Sequence, residues 1–268
     1  MEVIYNLKLT ATNKEFENQL IDLIFKDSNN NKDSNNCKYL KVTKGSKSIH
    51  DYAFAFNMNL KAIIIPNTVK IIENKVFSNC DFLKYINLPK NLINIGECAF
   101  YNCCNLESIS LPNSLKTLNF GVFGHCKKLK NIKMSEAITY IEFITFSYCI
   151  CLTNINLSSN ITCLGKYSFK DCISLTHITL PKSLLSIGKL AFKDCKSLKN
   201  ITIPNSVTCI GKSVFEGCTS LTFINIPKMF EYKISIIFRN IDLSKVKINY
   251  TSDETENMLT ENKITENK

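Results

Sequence analysis

The stretch Lys166–Gly188, KYSFKDCISLTHITLPKSLLSIG, recurs along the chain with few changes. One phenylalanine marks each copy, and it returns at a constant step of 23 residues. These residues are Phe54, Phe77, Phe100, Phe123, Phe146, Phe169, Phe192, Phe215 and Phe238. A constant period of about 20–50 residues is typical of solenoids, in which each repeat forms one coil that packs on its neighbours. The sequence therefore predicts an elongated stack of coils.

The apolar positions of one copy predict the path of the chain within a coil. In the quoted copy they are Cys172, Leu175, Ile178, Leu180, Leu184 and Ile187. Residues two apart in a strand point to the same side, so Ile178 and Leu180 indicate a short strand with one buried face. Pro181 ends this strand at a corner, because proline cannot donate to a strand ladder. Gly188 is expected to supply a second bend. The residues around Phe169 predict a short helical turn.

This pattern resembles the BspA-type, or Treponema-type, leucine-rich repeat, whose unit is similar to LxxIxIPxxVxxIGxxAFxxC. The likeness covers about residues 37–250. It implies an α/β right-handed leucine-rich-repeat solenoid with 23-residue coils, a parallel β-sheet on the concave face and short helical turns on the outer wall. Ser135 and Ser158 replace the proline in two coils, and Asn119 and Glu142 replace the glycine nearby. We expect a looser corner or a change of curvature there.

Two segments of different composition flank the coils. Residues 1–36 predict a short strand, an amphipathic helix and a polar loop, which would shield the open end of the stack. A partner-binding role for this helix is the alternative. A C-terminal cap is predicted from about residue 228 within the 37–250 solenoid, because the strand positions after Phe238 arrive one residue early. Residues 251–268 predict a disordered acidic tail.

The cysteine pattern predicts packing positions and no disulfide framework. Seven of the 13 cysteines each stand three residues after a repeat phenylalanine, and a free cysteine behaves as a small buried apolar residue. They are Cys80, Cys103, Cys126, Cys149, Cys172, Cys195 and Cys218. The N-terminus shows no secretory signal, so reduced thiols and a cytoplasmic location are expected. A cell-surface location reached by a non-classical route is the alternative.

The formal net charge of +10 favours acidic partners in general. The lysines are spread over all repeats and interrupted by other residues, however, which is typical of a solvated surface. Binding to nucleic acid or to an anionic membrane is therefore the less favoured alternative. No apolar run approaches about 20 residues, so no transmembrane segment is expected.

Patterns for catalysis, cofactors and metals are missing from the sequence. Only three histidines occur, His50, His125 and His177, and no glycine-rich phosphate loop or HExxH sequence is present. His125 precedes Cys126, but neighbouring residues in a chain seldom face each other, so we expect no Cys–His pair there. The sequence predicts a protein that is not an enzyme and that holds no cofactor or metal.

The concave face is the predicted binding surface, because solenoids commonly bind partners there. Its outward positions alternate with buried leucine and isoleucine, and they carry many amides and hydroxyls with a few isolated rings. The predicted partner-binding residues are Lys84, Tyr85, Asn87, Asn131, Lys133, Asn154, Asn156, His177, Thr179, Asn200, Thr202 and Phe223. A polar face that serves only solubility is the simpler alternative.

The sequence thus predicts a monomeric module for protein–protein interaction with an unidentified protein partner. The resemblance to BspA-type proteins implies a second role, that of a cell-surface adhesin.

Overall fold

The computed structural model describes residues 39–42 and 44–252. The strand, helix and loop predicted for residues 1–36 lie outside the described residues, as does nearly all of the predicted acidic tail. Over the described ranges, the strands in chain order are β1 Tyr39–Lys41, β2 Ser48–Ile49, β3 Ala62–Ile64, β4 Ile71–Ile72, β5 Tyr85–Asn87, β6 Asn94–Ile95, β7 Ser108–Ser110, β8 Asn131–Lys133, β9 Tyr140–Ile141, β10 Asn154–Asn156, β11 Cys163–Leu164, β12 His177–Thr179, β13 Ser186–Ile187, β14 Asn200–Thr202, β15 Cys209–Ile210, β16 Phe223–Pro227 and β17 Lys247–Thr251.

The strands stack in parallel, coil upon coil, in a register of one repeat. In the ladder of longer strands, His177 of β12 lies opposite Asn154 of β10. In a second ladder, built from the two-residue strands, Ser186 lies between Cys163 and Cys209. Every one of these partners is 23 residues away in the chain. The predicted leucine-rich-repeat solenoid with a parallel sheet is confirmed, and the second ladder is a feature that the sequence pattern did not indicate.

The repeat phenylalanines form a continuous stack through the core. From Phe54 to Phe238, neighbouring ring centroids lie 5.2–5.7 Å apart, and the ring planes are inclined by only 4–24°. Such spacing between nearly parallel rings is that of offset stacking, which the charge distribution of aromatic rings favours. Phe169 in the middle of the stack is fully buried. Each repeat of 23 residues therefore adds one ring to this stack, just as it adds one strand to the sheet.

The outer wall around each phenylalanine consists of tight turns, and no regular helix forms there in the described coils. Tyr167 and Asp171, on either side of Phe169, adopt the left-handed region with φ of 57° and 58°. Backbone N–H groups alternate in direction along this segment. That of Phe169 donates to Ala191 in the next coil at 2.8 Å, and that of Lys170 donates back to Tyr167 at 3.1 Å. The wall thus adds a third line of backbone bonds between coils.

The constant spacing between phenylalanine and cysteine reflects a hydrogen bond as well as packing. The thiol of Cys172 donates to the carbonyl oxygen of Phe146, one coil earlier, at 3.1 Å. The other six repeat cysteines make the same contact at 3.0–3.2 Å. A thiol is a weak donor that fits an otherwise apolar site. Each thiol is a second donor to a carbonyl that already accepts a backbone N–H of its own coil, as the Phe146 carbonyl accepts that of Cys149 at 3.2 Å.

The glycine at the second corner serves close approach between coils. Gly188 is not in the left-handed region, and a Cβ atom added to it would lie 2.5 Å from the backbone nitrogen of Lys166. Gly211 is placed in the same way against Lys189, with a separation of 2.3 Å. The expectation that Gly188 supplies a bend through its conformational freedom is therefore wrong. Only a residue without a side chain allows the coils to come this close.

The coils that lack proline and glycine are held by side-chain hydrogen bonds. Buried Ser135 donates to the carbonyl of Leu115 at 2.8 Å and accepts the N–H of Ala137 at 3.1 Å, so this corner is closed. In the coil of Asn119, the side-chain amide likewise donates to the carbonyl of Ile95 at 2.7 Å. The part of the second ladder in this coil is reduced to a single bridge, between Leu118 and Ile141. The predicted loosening thus affects the second strand ladder, whereas the corner at Ser135 is held by two hydrogen bonds.

The last coil is longer by one residue. After β16 follow a 3₁₀-helix Lys228–Lys233, a one-turn α-helix Ile234–Ile237 and a 3₁₀-turn Leu243–Lys245, and then β17. Ile248 pairs with Ile224, a step of 24 residues. The strand therefore arrives one residue late, and the predicted shift of one residue in the other direction is wrong. Phe230 completes the core, whereas Met229 and Tyr232 are exposed.

Substitution of a ring in the middle of the stack tests the architecture. We expect Phe169→Ala to lower the free energy of unfolding by about 3–5 kcal/mol, because it leaves a cavity between two other rings. Phe56→Ala is the matched control, since Phe56 is 67% exposed and its removal should change stability by no more than about 0.5 kcal/mol. Denaturant unfolding measures both. Equal stability of the two variants would contradict the stack.

The repeat cysteines should make the fold sensitive to alkaline pH. Burial raises the pKa of Cys80 to about 12 and raises the pKa values of five others. Below the thiol pKa of the unfolded chain, about 8.5, folded and unfolded thiols are both neutral and stability does not depend on them. Above it, only the unfolded thiols ionise. Stability should then fall by up to about 1.4 kcal/mol per pH unit and thiol.

A pair of serine variants isolates this effect from the titration of lysine and tyrosine. Cys172→Ser keeps a donor for the Phe146 carbonyl and removes one buried ionisable thiol. Its free energy of unfolding should fall less steeply between pH 8.5 and 10, by about 1.4 kcal/mol per pH unit. Cys209→Ser removes an exposed thiol and should leave the slope unchanged. Identical slopes for wild type and Cys172→Ser would show that burial does not suppress ionisation.

Candidate functional site

The ladder of longer strands forms the face that we call the concave face, and its strands fix which side chains reach solvent. In β12 the central Ile178 points into the core, while His177 and Thr179 point outward. Neighbouring coils present Asn154 and Asn156 directly beside them. Because the register is one repeat, equivalent positions form straight rows along the stack. The rows anticipated from the sequence are therefore assembled on a single surface.

Most of the predicted partner-binding residues are exposed on this face. Those exposed are Asn131, Lys133, Asn154, Asn156, His177, Thr179, Asn200 and Thr202, and those half-buried are Lys84, Tyr85, Asn87 and Phe223. In the first coil the equivalent positions, Ala62 and Ile64, are buried, although the pattern places them on the outward rows. The accessible polar surface accordingly begins at the second coil.

At both ends of the face the polar groups are already paired with each other. Lys84 forms an ion pair with Glu107 at 3.1 Å, and its ammonium lies 5.2 Å from the ring centroid of Tyr85. The hydrogen bond to Tyr85 and the neighbouring Glu107 raise the pKa of Lys84, so it stays charged. At the other end Asn249 donates to Asn225 at 2.7 Å. A ligand that used these groups would have to replace existing contacts.

The centre of the face is different, because its amides are free. Among the residues that the structure describes, the side chains of Asn131, Asn154, Asn156 and Asn200 make no hydrogen bond to another group of the protein, and the Lys133 ammonium has no carboxylate partner. An amide offers two donors and an acceptor with two lone pairs. We call these five residues the amide patch. It presents unused hydrogen-bonding capacity at five positions across four coils.

The histidine and cysteine that are neighbours in sequence point in opposite directions. The Cys126 thiol is buried and donates to the Phe100 carbonyl at 3.1 Å. The His125 ring lies on the outer wall and stacks on Tyr148 with a centroid distance of 4.3 Å. Burial also raises the pKa of Cys126, which disfavours a nucleophilic thiolate. This pair is therefore no catalytic dyad.

One group of surface residues was not anticipated from the repeat. Two residues after the marker phenylalanine the chain is left-handed, and Asn79 and Asn102 are typical occupants of that position. His125 and Tyr148 stand there in the next two coils. Bulky rings at a position that favours asparagine are a signal that the sequence does contain, and they form an aromatic groove on the outer wall.

No metal-binding group is formed by three or more histidine, cysteine or acidic side chains over the ranges that the structure covers. The helices of this part of the chain are also too short and too polar to span a membrane.

The family of the chain follows from its repeats. A family model of the BspA type leucine rich repeat region matches residues 47–164 and 141–264 with six copies. The chain belongs to the BspA-type leucine-rich repeat family. Proteins of this family are generally binding scaffolds without enzymatic activity. The resemblance noted from the repeat unit is thereby confirmed.

Solved structures of leucine-rich repeat proteins resemble this BspA-type chain. A leucine-rich repeat protein from Bacteroides ovatus is 32% identical, with a TM-score of 0.66 over 78% of this chain and 50% of its own. The present chain thus spans half the length of that protein. The leucine-rich repeat protein of T. pallidum is 23% identical, with a TM-score of 0.50 over 76% of this chain and 84% of its own, and shows the fold alone. A comparison with curated proteins finds no match.

Proposed function

We propose that this chain is a non-enzymatic module that binds a partner protein through its concave face, with the amide patch at the centre of the contact. The observation that carries the proposal is the set of exposed amides at Asn131, Asn154, Asn156 and Asn200 that make no internal hydrogen bond. A face that serves only solubility would be expected to carry charges, and the strands β10, β12 and β14 carry none.

Free amides favour a partner that itself offers both donors and acceptors. Binding at the amide patch breaks no contact within the protein, whereas binding at Lys84 would displace Glu107. The surface of the partner should therefore be polar and uncharged over most of its area. A carboxylate is expected opposite Lys133, the one charged residue of the amide patch. We propose that the module acts as a monomer, since all five residues of the amide patch belong to one chain.

The rows of the concave face also limit the geometry of the partner. Equivalent side chains stand about 4.8 Å apart along the stack, which is the spacing of adjacent strands. The amide patch spans four coils and thus about 15 Å between its outermost rows. A loop or the end of an extended segment fits this length. Such a small polar contact would belong to a larger interface that also uses the exposed His177 and Thr179.

Alanine variants of the amide patch test the proposal. Partners are first captured from cells of the source organism with the wild-type chain and identified by mass spectrometry. Binding of the purified partner is then measured for the variant with Asn131→Ala, Asn154→Ala, Asn156→Ala and Asn200→Ala. We expect the affinity of this variant for the partner to be lower by roughly tenfold or more, since each lost neutral hydrogen bond costs about 0.5–1.5 kcal/mol.

The matched control changes exposed residues on other surfaces, with Lys116→Ala, Thr139→Ala and Lys182→Ala. This variant should bind as tightly as the wild type, and both variants should unfold at the wild-type temperature because only exposed side chains are altered. A partner that binds the amide-patch variant with unchanged affinity would exclude this face as the interface.

We further propose a cytoplasmic location for this module. The 12 cysteines of the described chain are all free thiols, and a reducing compartment preserves that state. Immunofluorescence with an antibody against the solenoid should stain permeabilised cells and leave intact cells unstained. Staining of intact cells would instead favour the cell-surface location of the alternative adhesin role.

A further inference from the structure

The outer wall of the third to sixth coils carries an open groove of about 230 Å³ with aromatic walls. One wall is a row of three rings, in which His125 lies 5.1 Å from Tyr101 and 4.3 Å from Tyr148 between centroids. A second row of lining rings consists of Phe143 and Tyr167, whose centroids are 5.4 Å apart. Both rows follow the stack axis, because each ring comes from a successive coil. The groove therefore runs along the solenoid.

The backbone that lines the groove has the left-handed turns common to the coils. Ile144 adopts the left-handed region with φ of 59°, as do the residues at the equivalent position of the other coils, such as Leu190. What distinguishes the groove is the side chains. His125 and Tyr148 stand where asparagine occurs in the two preceding coils. Two rings thus replace two small polar side chains beside the groove.

The charges around the groove restrict what can occupy it. Lys170 closes one end, where it donates to the Tyr148 hydroxyl at 3.0 Å and pairs with Asp171 at 2.7 Å. Lys127 is exposed beside His125. Burial and the two nearby lysines lower the pKa of His125, so its imidazole is neutral at pH 7. Because Lys170 is paired with Asp171, the exposed Lys127 is the charge that a ligand would meet, and it favours an occupant with a neutral apolar body and an acidic neighbour.

From this geometry we propose that the groove binds a proline-rich peptide segment in the polyproline II conformation, flanked by acidic residues. Such segments dock on aromatic grooves at little entropic cost, because the bound conformation exists beforehand. A polyproline II helix repeats every three residues, about 9.3 Å, and two coils of the solenoid advance about 9.6 Å. Prolines three residues apart would therefore meet Tyr101 and Tyr148 in turn, although Tyr101 is tilted by 51° and Tyr148 by only 16° from the His125 ring between them.

Hydrogen bonding supports the same occupant. The carbonyls of a polyproline II segment have no partner within the segment and need donors. The Tyr148 oxygen already accepts a hydrogen bond from Lys170, so its own proton is available for a peptide carbonyl. Acidic flanks would complement the exposed Lys127 at the rim.

The experiment uses fluorescein-labelled ten-residue peptides with two prolines three residues apart, flanked either by glutamates or by lysines. Fluorescence anisotropy should show binding of the glutamate-flanked peptide to the full chain, and severalfold weaker binding of the lysine-flanked one at low salt. Replacing both prolines by alanine should abolish binding. No binding of the glutamate-flanked peptide at 1 mM, or equal binding of the alanine peptide, would overturn the proposal.

The protein variants return the groove to the residue type of other coils. His125→Asn combined with Tyr148→Asn introduces the residue found at Asn79 and Asn102, so the fold is kept while the rings are lost. This variant should bind the peptide about tenfold more weakly. Phe56→Asn, at the same position of the first coil and outside the groove, is the control and should bind normally. Unchanged binding by the double variant would place the peptide elsewhere.

Two further titrations distinguish the groove from the concave face and from a sugar site. The amide-patch variant should retain full peptide binding, because that patch lies on the ladder of longer strands and not on the outer wall. A loss of binding there would assign the peptide to the concave face. A neutral pyranose oligosaccharide is titrated in parallel. If it shifts the NMR signals of the His125 ring and the peptide does not, the groove is a sugar site and the proposal is wrong.

Discussion

The distance between successive coils is the constraint on which this structure depends. Backbone hydrogen bonds from two strand ladders, each interrupted at some junctions, and from the turns of the outer wall hold successive coils one strand spacing apart. At this distance the phenylalanine rings must stack with an offset, and Gly188 can carry no side chain. The same spacing brings the thiol of Cys172 within hydrogen-bond distance of the Phe146 carbonyl in the preceding coil. The identity of each repeat residue follows from that spacing.

Features set by the residue pattern within one coil could be predicted from the sequence. Features set by contacts between two neighbouring coils could not. Phe169, Ile178 and Leu180 were placed in the core because their spacing within a repeat shows it. The alternating bonds of the outer wall and the role of Gly188 arise between coils, where a pattern along the chain contains no information. Ile248 shows the same limit, because both Val246 and Ile248 suit a buried strand position and only the length of the last coil decides between them.

The candidate site divides in a similar way. The exposure of Asn154 and Thr179 was predictable, since their positions alternate with buried isoleucines. That Lys84 is paired and Asn154 is not could not be predicted, because it depends on which side chain stands one coil away. The aromatic groove was missed because only His125 and Tyr148 share a position of the repeat, and the other rings, Tyr101, Phe143 and Tyr167, join them only in space.

The stack of coils also has a mechanical consequence. Each coil touches only its two neighbours, so a force applied between the two ends acts in series on successive contacts. A released coil of 23 residues lengthens the chain by roughly 75 Å, and extension should therefore proceed in equal steps. Between the coil of β5 and β6 and the coil of β7 and Asn119, neither strand ladder is paired, so this junction is the weakest link in the series. Rupture under tension would begin there, and the two parts of the solenoid would separate as blocks.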